Sequence, residues 1–288
     1  MKGFRSILKI LKKIGESLKK FSQDRCDDQA AIISFYMLLA AIPTAGVFGL
    51  FLSKVFGTDF LLFRSLHVIS EDYFTQLDPS FFVKVRYLSR SIEKLGWVGL
   101  ALTIPLGIVV FSKITQSIYR IFEITIKRSF LRNTLFQISM LFITGTLIFL
   151  SLVISISTST LHGYFFENEL ISEYLNPYFI SIVDNILVGY MVPVLLSYSF
   201  FFFLYKFLPP MKIKTNVAVA TALVSTFLWE IAKRIFSWYL GNIALYGKLH
   251  GTLSSVVGFI LLVNLSIYIL LFGAELTFVF NSGKDESK

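Results

Sequence analysis

The decisive stretch is residues 252–280, TLSSVVGFILLVNLSIYILLFGAELTFVF, in which Glu275 is the only charged side chain. A helix crosses the hydrocarbon core of a bilayer with about 20 mainly apolar residues. This run exceeds that length, so it reads as a membrane span. Moving outward, similar runs recur at 216–239, 180–205, 135–157, 97–119 and 30–53, the second and fifth in chain order having polar ends. Composition agrees: the 288 residues are 55% hydrophobic and only 16% charged, with mean hydropathy +0.70. Soluble domains carry about 25% charge. Disorder, a secreted disulfide scaffold and an ordinary soluble enzyme are thereby excluded. The expected fold is all-α: a polytopic membrane bundle of six transmembrane helices preceded by an amphipathic interfacial helix.

That first helix lies in residues 1–29. Phe4, Ile7, Leu8, Leu11, Ile14, Leu18 and Phe21 recur at helical spacing, with Lys9, Lys12, Lys13, Lys19 and Lys20 between them. Such a helix rests in the headgroup layer. The basic region and the apolar run after it are too long for a cleavable signal, so the segment is expected to be retained. Residues 30–280 then form the membrane domain and 281–288 a tail. Loop 54–96 carries two amphipathic helical patterns hinged at Asp78-Pro79. With six spans and both termini inside, eighteen Lys and Arg fall on inner segments and seven on outer ones. The loop bearing Glu167, Glu169 and Glu173 has no basic residue, which marks it as external. Both termini are therefore expected in the cytoplasm. The net charge of +9 fits attraction to anionic lipid rather than to nucleic acid.

A few residues inside the spans carry information. Pro43, Pro105 and Pro193 fall near the middle of their predicted spans. Proline frees a carbonyl that must find water or protein, so Pro43 and Pro193 are candidates for lining a cavity; alternatively they only bend their helices. Glu230, Lys233 and Arg234 share one face of the fifth span, where Glu230 can pair with either base. The triad reads either as a self-neutralised cluster or as a site for an anionic group. Asn264 is expected to hydrogen-bond a neighbouring helix. Glu275, near the inner end of the last span, is expected to meet Lys113, Lys206 or Lys212. The single Cys26 allows no intramolecular disulfide and reads as a packing residue. His67, His162 and His250 are scattered, and no phosphate-binding loop, nucleophile elbow or metal-ligand spacing occurs. No catalytic residue, metal or cofactor is expected, and nuclease chemistry has no visible basis.

Several motifs together resemble the YihY/BrkB membrane family: Asp28, Ala30-Ala31 and Phe35-Tyr36 running to Pro43; Tyr205-Lys206-Phe207-Leu208-Pro209-Pro210; Trp229-Glu230 with Lys233, Phe236 and Tyr239; Tyr246-Gly247; and Gly273-Ala274-Glu275-Leu276. The chain departs from that pattern at Lys248 and His250, and has Leu262-Val263-Asn264 where the last span usually holds a tryptophan. The resemblance implies a six-helix protein of the bacterial inner membrane. The family has carried a ribonuclease label, regarded as misassigned, and a virulence-factor label; a transporter role is suspected for several members.

The function expected from these readings is transport, or flippase-like carriage, of an anionic or lipid-like solute. Pro43, Pro193, Glu230, Lys233, Arg234, Asn264 and Glu275 are the candidate cavity or binding residues. The alternative is a non-transporting envelope scaffold or virulence-associated factor. Membrane lipids are the expected partners, and a homo-oligomer is compatible with the sequence.

Overall fold

The computed structural model describes residues 2–56, 96–124, 135–146, 190–209, 211–246 and 251–282. These form seven helices and their connections, with no strand among the described residues. They are α1 (Lys2–Gln23), α2 (Cys26–Phe56), α3 (Gly96–Ile121), α4 (Leu135–Thr146), α5 (Val192–Phe207), α6 (Thr215–Tyr246) and α7 (Gly251–Ser282). Three contain stretches long and apolar enough to cross a membrane: Ala101–Ile121, Thr215–Tyr239 and Val257–Ser282. Helix α2 covers the first predicted span. The shorter apolar helices α4 and α5 fall in the third and fourth. The patterns expected in loop 54–96 and the acidic loop near Glu169 lie outside the described residues.

Local chemistry sets the helix ends. Asp27 and Asp28 occupy the first turn of α2, where the exposed N–H groups favour negative charge. Between α1 and α2 the chain turns at Arg25, whose φ is 52°. Helix α3 ends in a Schellman-type turn: Ile124 N–H donates to the Tyr119 carbonyl and Glu123 N–H to that of Arg120. The position that usually holds glycine in this turn is Glu123, at φ 56°. After α5 come Pro209 and Pro210, which cannot continue a helix. Lys206 Nζ bridges the gap to α6, donating to the Ile213 carbonyl (2.5 Å) and to Thr215 Oγ1 (3.0 Å).

Helix α7 is the hub. It packs most extensively on α6, α2 and α1, and also touches α3 and α5, while α2 packs on α3 and α5 on α6. Its neighbours present small or compact side chains, among them Ala30, Ala218 and Ala222, all fully buried. Small residues let helices approach closely without a hydrophobic drive between them. Helix α6 shows the complementary pattern. Leu223, Phe227, Ile231, Ile235 and Trp238 run along one exposed stripe, with Phe227 65% and Trp238 68% accessible. A continuous exposed apolar stripe suits contact with lipid rather than water.

The α6–α7 pair runs antiparallel. Thr277 Oγ1 donates to Thr221 Oγ1 at 2.9 Å, and one turn further along α6, Ser225 faces Gly273. Tyr205 of α5 completes this junction. Its hydroxyl lies 2.8 Å from Ser225 Oγ and donates to the Leu270 carbonyl at 3.1 Å. A Cβ at position 273 would stand 2.0 Å from Tyr205 Oη and 2.2 Å from Ser225 Oγ. Only glycine fits there.

Candidate functional site

Two groups of ionisable residues are built into the bundle, and the structure keeps them apart. The first lies where α1 meets α7. Glu275 is fully buried on α7. The Cys26 thiol, at the start of α2, donates to its Oε1 at 3.6 Å. Asp24, the residue before the Arg25 turn, lies near Glu275. The buried Glu275 Oε2 has no hydrogen-bond donor among the described residues. Lys20, one turn back on α1, places Nζ 2.6 Å from Glu123 Oε1 and 3.4 Å from Asp24 Oδ2. Its ammonium also lies over the Phe278 ring, 4.5 Å from the centroid.

Burial works against the charged form of Lys20, but the Glu123 hydrogen bond and the Asp24, Glu123 and Glu275 carboxyls outweigh it. The net effect raises Lys20 above the usual lysine value. Burial, followed by the charge of Glu275, pushes the Cys26 thiol well above its ordinary value. Cys26 is thus a packed, inert thiol in the core, 1% exposed.

This arrangement corrects the expectation that Glu275 meets Lys113, Lys206 or Lys212. Lys206 is engaged with Ile213 and Thr215, Lys113 lies over the Tyr36 ring, and Lys212 is exposed. The cation near Glu275 is Lys20, because the end of α1 is not held away from the spans. Phe21 packs on Tyr268 and Phe272, with ring centroids 5.8 and 6.3 Å away, Lys13 sits over Phe280, and Ser17 is fully buried.

The second group is the α6 triad. Lys233 Nζ stands 2.7 Å from Glu230 Oε1, with both side chains less than one-fifth exposed. Arg234 points away from that pair: its Nη2 donates to Tyr190 Oη at 3.2 Å and its guanidinium lies over the same ring. Counting nine residues from the Thr221–Thr277 contact puts Glu230 level with Tyr268. The triad is therefore roughly 10 Å along the axis from Glu275, at about 1.5 Å per residue.

The remaining sequence candidates take separate places. Asn264 of α7 donates to Ser34 Oγ of α2 at 3.4 Å, a helix-to-helix bond as expected. Pro43 lies inside α2, and its carbonyl would be 4.0 Å from a Cβ at Gly99, so this part of α2 packs closely on α3. Pro193 stands in the first turn of α5, just after a π-helical turn at 190–191. Wide turns of this kind commonly accommodate a helix irregularity. Asp24, Lys20 and Glu123 were not among the sequence candidates. The available signal was an acidic residue at the end of a basic helix, directly before a span.

Comparison with known proteins places these residues in a wider setting. The family model described as Virulence factor BrkB matches residues 17–288. A UPF0761 membrane protein of Legionella pneumophila is 25% identical over 269 residues, covering 92% of this chain and 60% of its own length. One from Ralstonia nicotianae is 26% identical, covering 90% of this chain and 56% of its own length. A third, from Mannheimia succiniciproducens, is 23% identical and is covered over 86% of its length. The chain thus spans about 60% of the first of these relatives. No solved structure matches.

Proposed function

Because the chain belongs to the Virulence factor BrkB family of membrane proteins, we propose that it is a six-span carrier that moves an anionic, lipid-like solute across the bacterial inner membrane. On this reading it is not an enzyme, its termini face the cytoplasm, and its partners are membrane lipids and the solute. The supporting observation is Arg234. Lys233 already matches Glu230, and among the described residues no carboxylate pairs with Arg234. A guanidinium at the centre of a span costs about 2.5–3.5 kcal/mol on insertion scales, and less toward the ends, where Arg234 lies. An anionic headgroup beside it offsets that cost. Tyr190 accepts from Arg234, so its own O–H can donate to the same anion.

The family description favours a second reading, an envelope scaffold or virulence-associated factor that transports nothing. Lipid retention separates the two. Purified protein in nanodiscs of mixed phosphatidylglycerol and phosphatidylcholine is released into a mass spectrometer, and the retained lipid is counted. The carrier reading expects enrichment of phosphatidylglycerol, reduced about tenfold by Arg234→Gln, the equivalent of about 1.4 kcal/mol, and largely kept by Arg234→Lys. Equal retention by wild type and Arg234→Gln would overturn it.

A further inference from the structure

Arg234 stands on the outside of the bundle, in line with the apolar stripe of α6. At 3.6 residues per turn, Leu223, Phe227, Ile231 and Trp238 lie within about 60° of it around the helix axis, and all four are exposed. Arg234 is itself exposed, whereas Glu230 and Lys233 pair on the partly buried flank. The stripe therefore presents one guanidinium among large apolar side chains. Tyr190, 46% exposed, stands at the same edge and accepts from Arg234 Nη2 at 3.2 Å. Depth decides which ligands reach this place. The apolar stretch of α6 ends at Tyr239, and Trp and Tyr gather at the membrane–water interface, so Trp238 and Tyr239 mark the rim. Arg234 lies about 6 Å inside Trp238, and the stripe continues from it to Leu223 for about 16 Å more, at about 1.5 Å per residue. Half of the hydrocarbon core is about 15 Å, so the stripe below Arg234 matches the depth of one leaflet.

We propose that Arg234, Tyr190 and this stripe form a lateral seat for one anionic phospholipid, drawn from the leaflet at the Tyr239 end of α6. Its phosphate rests on the guanidinium, and an acyl chain lies along Ile231, Phe227 and Leu223. The proposal rests on the carrier reading and narrows its substrate class. The solute is a chain-bearing phospholipid that enters from the side, not a water-soluble anion passing through the centre of the bundle. On the six-span topology the leaflet is the outer one. The stripe adds little affinity of its own, because acyl chains are as apolar as the side chains they meet. Its part is to admit a ligand that brings negative charge to this depth without leaving the bilayer. Selectivity comes from the headgroup. A guanidinium offers paired N–H donors to a phosphate, and the Tyr190 hydroxyl adds another. Zwitterionic phosphatidylcholine carries the same phosphate with an ammonium that Arg234 repels, so anionic lipid is preferred.

The test is photo-crosslinking of the wild-type protein in nanodiscs, with trace phosphatidylglycerol or phosphatidylcholine carrying a diazirine near the chain end. Labelled residues are located by peptide mass spectrometry. At equal mole fraction the phosphatidylglycerol probe should label residues 223–231 about tenfold more than the phosphatidylcholine probe. Arg234→Gln should make the two probes equal, and Arg234→Lys should keep part of the difference. Millimolar glycerol phosphate in the buffer should leave the labelling unchanged. Equal labelling by the two probes in wild type overturns the seat, even if neither variant folds. So does a preference that Arg234→Gln keeps, or displacement by glycerol phosphate, which would show that the guanidinium is reached from water. If phosphatidylglycerol retention still depends on Arg234 in those cases, the carrier reading stands and only the lateral seat falls. Retention that ignores Arg234 removes both.

Discussion

Gly273→Ala probes the junction of α5, α6 and α7 with a single methyl group. The new Cβ would stand 2.0 Å from Tyr205 Oη, 2.2 Å from Ser225 Oγ and 2.5 Å from Tyr205 Cζ. Tyr205 cannot swing into open space, since its side chain is 1% exposed. Relieving the clash therefore moves the ring and strains or breaks its bonds to Ser225 and Leu270. Overpacking a core typically costs about 1–3 kcal/mol, and each hydrogen bond contributes about 0.5–1.5 kcal/mol. The sum is about 2–6 kcal/mol, which at roughly 2–4 °C per kcal/mol lowers the thermal midpoint in detergent by at least about 4 °C. Tyr205→Phe alone loses the hydroxyl bonds and should cost about 1–2 kcal/mol. In the double variant the two losses should be less than additive, because the nearest of the clashing atoms, Tyr205 Oη, is already gone and its bonds are lost only once. Gly273→Ala melting within a degree of wild type, or strictly additive losses, would refute this account of the junction.

Two further outcomes follow from the geometry and the charge pattern. Cys26 is raised by burial and by Glu275, so its thiol stays protonated at ordinary pH, and only thiolate reacts; maleimide modification of the folded protein should be at least tenfold slower than in denatured protein. Equal rates would refute the buried assignment. In a Cys26→Ser background, cysteines at Asn168 and Ser282 should label from opposite faces of the membrane with an impermeant reagent, as the basic-residue asymmetry requires; labelling from one face contradicts six spans.

What the sequence makes legible depends on whether the relevant interaction is local. Residues 252–280 read as a helix and fold as Gly251–Ser282, because an uninterrupted apolar run leaves the backbone no alternative in a membrane. Glu230 and Lys233 could be paired from their three-residue spacing. Spacing could not choose between Lys233 and Arg234; in the structure Lys233 pairs with Glu230 while Arg234 donates to Tyr190, in the turn before α5. Glu275 is the instructive error. Inner-loop lysines seemed the near cations by chain position, whereas α1 folds back so that Phe21 packs on Tyr268 and Lys20 arrives instead. The interfacial pattern also left Ser17 off the apolar face, yet it is fully buried. The contact of Gly273 with Tyr205 joins two separate motifs that no periodicity relates.

The most direct test of the carrier reading is the transbilayer movement of a fluorescent phosphatidylglycerol in proteoliposomes, followed by chemical quenching of the outer leaflet. Wild-type protein should accelerate movement well above protein-free vesicles, Arg234→Gln should fall back close to the protein-free rate, and Arg234→Lys should retain part of the gain. Wild-type vesicles that quench no faster than protein-free ones, with the protein folded and inserted, would contradict the account.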